Sequence, residues 1–467
     1  MELDLHSVQG TALTTKATEI LYGGASGGGK SHLLRVAAIS YCYAIPNLQV
    51  YLFRRLSDDL SKNHMEGVSG FPMLLADWVI SGHVKIKYSP TAITFWNGSK
   101  IFLNHCQYEK DVFKYQGAEI QLLLIDELTH FSETIYRFLR GRCRLGGIDI
   151  PEQFKGMFPR IICGSNPGGI GHNFVKSTFI DNRQPLIIES MCKKDGGMLR
   201  QFIPAKLADN PTMAINDPDY IDKLEGLGDP ALVKAMKDGD WNIVSGGAFD
   251  DVWKPDTHVI DRFEIPRQWY FDRSFDWGSS KPFSVLWFAE SDGENMPEGM
   301  YFPKGTVFVI EEWYGCEDGE SDKGLYLSSP EIAEGVKSRE DDSEYIFDTG
   351  PADSAIFAIT DGNSIADRME DEGLYWDPCS KGPGSRVTGL ETVRGYLKNS
   401  VNDPLEKEGL YIFSNCQYLI KNIPVLPRDK KKYDDIDTNA EDHDYDALRY
   451  RLTTERRKGL STKGHYR

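Results

Sequence analysis

Short apolar runs bounded by turn residues recur along the first part of the chain. Thr18–Tyr22 is strand-like and leads into the glycine-rich stretch Gly23–Ser31. A helical pattern follows from His32 to about Ala44 and stops before Pro46. Gln49–Phe53 is a second strand and ends in Arg54-Arg55. Val84–Tyr88 and Ile93–Trp96 read as ribbons, and Asn97-Gly98 marks a hairpin turn before Ile101-Phe102-Leu103. Ile120–Ile125 is a mostly apolar run of the kind that fills a buried parallel strand, and Arg160–Cys163 is another strand. Strands alternating with helices predict an α/β fold.

The pattern restarts in the second half. Leu232–Trp241 looks helical, and Gly246-Gly247 reads as a hinge. A strand begins at Trp269 and runs through Phe275 and Asp276. Phe283–Phe288 and Thr306–Glu312 continue it as an antiparallel meander. Glu344–Phe347 is a fourth strand, followed by Asp348 and then Asp353. From about Asp442 the pattern is helical again.

Length and composition narrow the class. The 467 residues allow two to four domains. With 40% hydrophobic and 26% charged residues, the chain is neither disordered nor fibrous. No apolar run reaches the roughly 18 residues of a membrane span. The opening MELDLHSVQG has no apolar core, so no secretory signal is expected. Lys plus Arg is 53 against 70 Asp plus Glu, a net charge of −17. That argues against a passive nucleic-acid coat and leaves room for an enzyme that grips nucleic acid through a local groove. None of the eight cysteines lies within four residues of another, so they read as reduced core residues of a cytosolic protein.

Gly24–Ser31 fits the P-loop pattern G-x-x-x-x-G-K-S. Gly24, Ser26, Gly27, Gly28 and Gly29 let backbone N–H groups curl around phosphate oxygens. Lys30 would neutralise the β- and γ-phosphates of ATP, and Ser31 would ligate Mg²⁺. A P-loop needs an acid on a neighbouring strand. Asp126 is placed to hold the Mg²⁺ shell and Glu127 to polarise the attacking water. Ser165-Asn166, at the tip of the strand from Arg160, either senses the γ-phosphate or forms a simple Gly/Pro turn. Arg137, Arg140, Arg142 and Arg144 could supply an arginine finger, a solvated basic face or a phosphate-backbone contact; Arg142 is favoured for the finger.

From Asp434 to Asp446, seven of thirteen residues are acidic and none is Lys or Arg. Such density repels itself unless cations or solvent neutralise it. Asp442 and Asp446 share a helix face, as do His443 and Asp446. Acids on a first strand (Asp276), after a fourth strand and on a late helix are the arrangement of an RNase H-like nuclease. Such acids hold two Mg²⁺ or Mn²⁺ ions for phosphodiester hydrolysis. The alternative is a solvated acidic turn and helix N-terminus.

Taken in order, YGGASGGGKS, LLLIDELTHF, CGSNPGG, GDW…GGAF, FDWG, GPADSAI and EDHDYDALRY resemble the large terminase subunit of tailed bacteriophages, over about Ala17 to Tyr450. The resemblance implies a P-loop ATPase domain of the ASCE type with a small linker subdomain, then an RNase H-like nuclease domain. Its divisions fall at 1–200, 201–245, 246–453 and a flexible basic tail at 454–467. Lys30 and Ser31 match the Walker A residues, Asp126 and Glu127 the Walker B acid and catalytic glutamate, and Ser165-Asn166 the coupling motif. Arg142 looks like the family's trans-acting arginine, with Arg140 and Arg144 as neighbours in a loose alignment. Asp276, Asp353 and Asp446 match the nuclease acids; Asp348 could replace Asp353, and Asp442, His443 and Asp444 are auxiliary candidates. The implied cofactors are ATP and Mg²⁺, with Mn²⁺ an alternative at the nuclease. The implied partners are double-stranded DNA, a small terminase subunit, the prohead portal and further copies in a ring, a pentamer on the portal and a monomer alone. The tail, Glu455 to Arg467, would dock on the portal or simply solubilise the chain. The setting is the host cytoplasm, not the finished virion. The rivals are a helicase-nuclease of DNA repair, and a packaging ATPase whose second domain is a docking module.

Overall fold

The computed structural model describes residues 3–226, 233, 237–241, 247–295, 301–317, 320–359, 362–402, 404–429, 432–438 and 440–454. Residues 232 and 234–236 of the helix expected over Leu232–Trp241 lie outside these residues, as do Gly246 of the expected hinge and residues 455–467 of the basic tail. The chain divides into two compact units, Met1–Gly246 and Gly247–Arg467.

The first unit is built on nine strands: β1 (Glu19–Gly24), β2 (Gln49–Arg54), β3 (Val84–Tyr88), β4 (Thr91–Phe95), β5 (Lys100–His105), β6 (Leu122–Asp126), β7 (Arg160–Ser165), β8 (Glu189–Ser190) and β9 (Leu199–Ala205). Their order is β3-β4-β5-β2-β6-β7-β1-β9-β8. From β5 to β9 all neighbours are parallel, while β3, β4 and β8 are antiparallel additions. Side chains alternate between two buried faces. Ile20, Leu122, Leu124 and Ile162 face one core with Leu34 of the helix Lys30–Ala44. Leu21, Leu123, Ile125 and Cys163 face the other. Burial on both faces is why these strands read as continuous apolar runs.

The Walker-type strands are not adjacent. β7 lies between β1 and β6, so Asp126 does not sit on the strand next to the P-loop. All three strands run parallel, so their carboxyl ends share one edge of the sheet, where ligands of open α/β sheets bind. Gly23 is paired with Ser165 so closely that a Cβ on it would stand 1.9 Å from the Ser165 carbonyl oxygen.

The second unit carries β10 (Val259–Ile260), β11 (Tyr270–Asp276), β12 (Ser284–Glu290), β13 (Val307–Tyr314), the ribbon β14 (Cys316–Glu317) and β15 (Glu320–Gly324), then β16 (Pro351–Ala352), β17 (Asp377–Pro378) and β18 (Leu410–Phe413). The main sheet is ordered β10-β18-β13-β12-β11-β16-β17. β11, β12 and β13 form an antiparallel meander, and β16 and β17 are added parallel beside β11. Third, second, first, fourth, fifth is the strand order of the RNase H fold, here extended by β18 and β10. The expected fourth strand at Glu344–Phe347 is displaced to β16. Tyr345 instead stacks on Phe271 with ring centroids 4.4 Å apart; the chain bridges β11 at Asp348, approaches it closely at Gly350 and pairs with it as a strand at Ala352.

Alternation along β11 sorts its side chains. Phe271 and Phe275 enter a core with Ile332 and Val336 of the helix Ser329–Asp341. Asp272 and Asp276 face the helix His443–Thr453, where Asp272 pairs with Arg451 at 2.6 Å. Among the described residues no helix is long and apolar enough to cross a membrane. All eight cysteines are free, and six are buried.

Candidate functional site

The P-loop is braced through its carbonyls. Tyr22 Oη donates to Gly28 O at 3.0 Å, Asn210 Nδ2 to Gly27 O at 2.6 Å, and Gln9 Nε2 to Gly29 O at 2.9 Å. Ser26 Oγ lies 2.9 Å from Tyr220 Oη. With its carbonyls held outward, the loop keeps the left-handed turns at Gly27 (φ +75°) and Gly29 (φ +74°) that suit a phosphate cradle. A cavity of about 300 Å³ adjoins it, lined by Leu207, Asn210, Met213 and Tyr220 among others.

Lys30 is buried and donates to Ala25 O at 2.8 Å and Asn166 Oδ1 at 2.5 Å. Burial lowers its pKa, and Glu127 and Asp126 oppose that shift. Ser31 Oγ lies within 3.2 Å of both carboxylate oxygens of Asp126. Asp126 is fully buried, which by itself would favour its neutral form. A hydrogen bond from His64 Nε2 (3.0 Å) and one from Arg54 Nε (2.8 Å) outweigh burial and hold its carboxyl well below the usual range. Arg35 sits behind His64, with Nη1 3.4 Å from its Nδ1. If that guanidinium donates to Nδ1, the other ring nitrogen, Nε2, carries the proton donated to Asp126.

Glu127 follows β6 in the left-handed region (φ 59°, ψ 63°). Its pKa is raised by burial and by Asp126, against Lys30 and Arg54; Arg54 Nη2 is 3.9 Å away. Ser165 Oγ accepts from Thr129 N–H at 3.0 Å, tying the tip of β7 to the turn after Glu127. Lys30, Ser31, Asp126, Glu127, Ser165 and Asn166 therefore meet at one sheet edge. Ser31 and Asp126 are hard oxygen donors side by side and fit a Mg²⁺ ion.

Arg142 is not brought there. It lies beside Ile120, six residues before Asp126 and roughly 20 Å away at about 3.3 Å per strand residue. Its guanidinium donates to Gln116 O at 2.9 Å and stacks over Phe138. Arg140 is bound to buried Glu19 at 3.2 Å, together with Arg200 at 2.7 Å, and Arg144 pairs with Glu119 at 3.2 Å. Arg140 thus belongs to the structural core.

In the second unit Asp276 ends β11, and Asp353 follows β16, its N–H donating to Phe275 O at 2.9 Å. Asp442 caps the helix His443–Thr453, and Asp446 lies one turn on. His443 Nδ1 is 3.0 Å from Asp276 Oδ2, and Tyr450 Oη donates to Asp276 Oδ1 at 3.1 Å. Arg449 donates to Asp446 at 3.0 Å. Arg386 donates to Asp442 at 3.2 Å and reaches Asp446 at 3.7 Å, while Lys381 pairs with Asp353. Burial and the neighbouring carboxylates raise Asp276 to about 6, despite His443. Burial and Asp446 raise Asp442 to about 7, against His443 and Arg386.

Two candidates fall outside this cluster. Asp348 bridges to Asp272, four residues before Asp276 and roughly 13 Å down the strand. Asp444 is buried on another face, accepting from Asn422 Nδ2 at 2.9 Å beside Glu441 and Glu312. Nor is a three-carboxylate cage closed: among the described residues no three His, Cys, Asp or Glu side chains are grouped tightly enough to hold a metal ion. Like charges in a buried site need countercharge, and here the chain's own Lys381, Arg386 and Arg449 supply it. The donors, carboxylates from a strand end, a neighbouring strand end and a helix, fit a hard divalent cation. Arg54, His64, Lys381 and Arg386 were not singled out by sequence. Only Arg54, at a strand tip, left a visible signal.

The fold is that of a P-loop NTPase of the ASCE type followed by an RNase H-like unit. Residues 15–206 match the model of the phage terminase large subunit family. No curated protein matches it. Among solved structures it is similar to the large terminase of bacteriophage HK97, at 12% identity and a TM-score of 0.44 over 96% of this chain and 95% of that one. The large terminase of a thermophilic bacteriophage aligns at 14% identity and a TM-score of 0.40, over 96% and 98%. The P22 large terminase nuclease domain aligns at 16% identity and a TM-score of 0.32, over 45% and 92%.

Proposed function

We propose that the chain is an ATP-driven motor subunit that packages double-stranded phage DNA in the host cytoplasm and carries its own metal-dependent nuclease. The observation that carries the motor reading is the single hydrogen-bonded cluster of Lys30, Ser31, Asp126, Glu127 and Asn166 at the carboxyl edge of a parallel sheet. ATP phosphates lie in the loop Gly24–Gly29, with Lys30 on the β- and γ-phosphates, and the cavity beside Tyr220 is sized for the base. Ser31 and Asp126 would hold a Mg²⁺ ion, which would supply positive charge against the phosphates. Glu127 polarises the attacking water. Asn166, bound to Lys30, feels the loss of the γ-phosphate and passes it along β7. Arg142, far from its own P-loop, acts on the nucleotide of a neighbouring copy.

In the second unit Asp276, Asp353 and Asp446, helped by Asp442 and His443, would hold divalent cations, whose chemistry would be water activation and stabilisation of the leaving oxygen. His443 and Tyr450 fix the orientation of Asp276. The chain divides into an ATPase domain at 1–200, a linker at 201–245, the nuclease at 246–453 and the tail. Its partners are a small terminase subunit, the prohead portal and further copies in a ring.

The test is plasmid digestion by the purified chain with Mg²⁺ or Mn²⁺, beside Asp276→Ala, together with ATP hydrolysis beside Lys30→Ala. Cutting lost only in the first variant and hydrolysis lost only in the second support both halves. Hydrolysis that survives Lys30→Ala overturns the motor. No cutting by the parent makes the second unit a docking module.

A further inference from the structure

The nuclease carboxylates are covered by two cations from one segment. Lys381 lies on the exposed loop Ser380–Gly384, and Arg386 lies in the first turn of the helix Ser385–Asn399. The lip is open: a Cβ placed on Gly382 or Gly384 meets nothing within 4 Å. Three cations touch the cluster with different freedom. Arg449 is 2% exposed and locked against Asp446 from within its own helix. Arg386 is 29% exposed and shared among Asp435, Asp442 and Asp446. Lys381 is 40% exposed, holds Asp353 and lies over the Tyr450 ring at 5.6 Å.

Electrostatics makes these two residues more than structural. The chain carries a net −17, and Asp276, Asp353, Asp442 and Asp446 crowd one site, so a DNA phosphate approaching it meets repulsion. A single exposed ion pair is worth only about 0–1 kcal/mol, so Lys381, bound to Asp353 alone, exchanges its partner at little cost. Divalent cations on the carboxylates would remove the reason for Lys381 and Arg386 to stay there.

We propose that Lys381 and Arg386 form a phosphate clamp, holding the carboxylates when the site is idle and turning to the backbone of duplex DNA when it is loaded. This rests on the nuclease reading of the site. Arg386, in the first helical turn after the lip, carries the same exchange at Asp442 and Asp446, and Lys381 performs it at Asp353.

The test uses the full chain without nucleotide and two readouts other than cutting. Binding of a short DNA duplex is followed by fluorescence anisotropy with Ca²⁺ across a salt series, and Mn²⁺ binding is measured calorimetrically without DNA. Lys381→Ala is expected to weaken duplex binding several-fold and to make the slope of log K against log salt shallower by roughly 0.9, one phosphate contact. The same variant should bind Mn²⁺ more tightly, because Asp353 loses its competitor. Lys381→Arg should restore the DNA slope, and Arg386→Gln should lower it as Lys381→Ala does. An unchanged slope in Lys381→Ala overturns the clamp, and so does a parallel loss of DNA and Mn²⁺ affinity, which a structural role would give. Mn²⁺ binding absent from the parent, or unaffected by Asp276→Asn, overturns the site itself. Mn²⁺ binding that depends on Asp276 beside an inert Lys381→Ala overturns the clamp alone.

Discussion

Replacing Glu127 separates hydrolysis from nucleotide binding and from stability. The carboxylate is held by Arg54 and the Asn166 backbone, with Lys30 acting on it only through charge, and its side chain keeps 18% exposure. ATP affinity should therefore change little in Glu127→Gln. General-base assistance contributes about 10²–10⁴-fold to such reactions. At 1.36 kcal/mol per tenfold, that is a barrier rise of about 3–5 kcal/mol. A second substitution uses the backbone. At φ 59° and ψ 63°, a non-glycine residue stores about 1–3 kcal/mol of strain, which Glu127→Gly releases. The glycine variant also removes a carboxylate whose ionisation burial and Asp126 disfavour. It should be as inactive as Glu127→Gln while its first unit withstands more urea, by about 1 kcal/mol or more. Phosphate release, binding of a fluorescent ATP analogue and urea unfolding read the three quantities. Hydrolysis by Glu127→Gln within tenfold of the parent would refute Glu127 as the group that polarises water. A glycine variant no more stable than the parent would refute the strain argument.

Arg54→Ala strips a buried ion pair from Asp126 and leaves His64 and Ser31 as its remaining partners; the first unit should lose about 3–5 kcal/mol in urea unfolding, and unchanged stability would mean that His64 suffices. Gly23→Ala drives a Cβ against the Ser165 carbonyl at 1.9 Å; β1 and β7 should separate, seen as loss of soluble protein and of nucleotide binding, and a folded, ATP-binding variant would contradict the register. Burial raises the Glu312 carboxyl to about 7 from 4.5, so the folded second unit binds this proton more tightly than the unfolded chain does. Its contribution to stability is therefore complete below pH 4.5 and fades as pH rises through about 7. Glu312→Gln should gain on the parent in melting temperature between pH 5 and pH 8, and a constant difference would refute the assignment.

The P-loop was legible because its chemistry is contiguous. Eight successive residues, Gly24–Ser31, carry both the cradle and its cation, and strand and helix propensities on either side orient them. Asp126-Glu127 and Asp276 were legible for a related reason. A strand buried on both faces must be apolar until it ends, so acids at its tip stand out. What the sequence could not order was the sheet itself. Strand adjacency is settled by packing between residues far apart in the chain, and that put β7 between the two Walker strands. The fourth nuclease strand was misplaced by a few residues because Glu344–Phe347 is as strand-like as the two-residue β16. Aromatic stacking on Phe271 took the first, and close backbone approach at Gly350 selected the second. That register sets Asp353 beside Phe275 and Asp348 opposite Asp272. Arg54, His64, Lys381 and Arg386 are common residues on unremarkable segments. They acquire roles only because a buried or crowded carboxylate demands countercharge from whatever the fold brings near, and local sequence does not encode that neighbourhood.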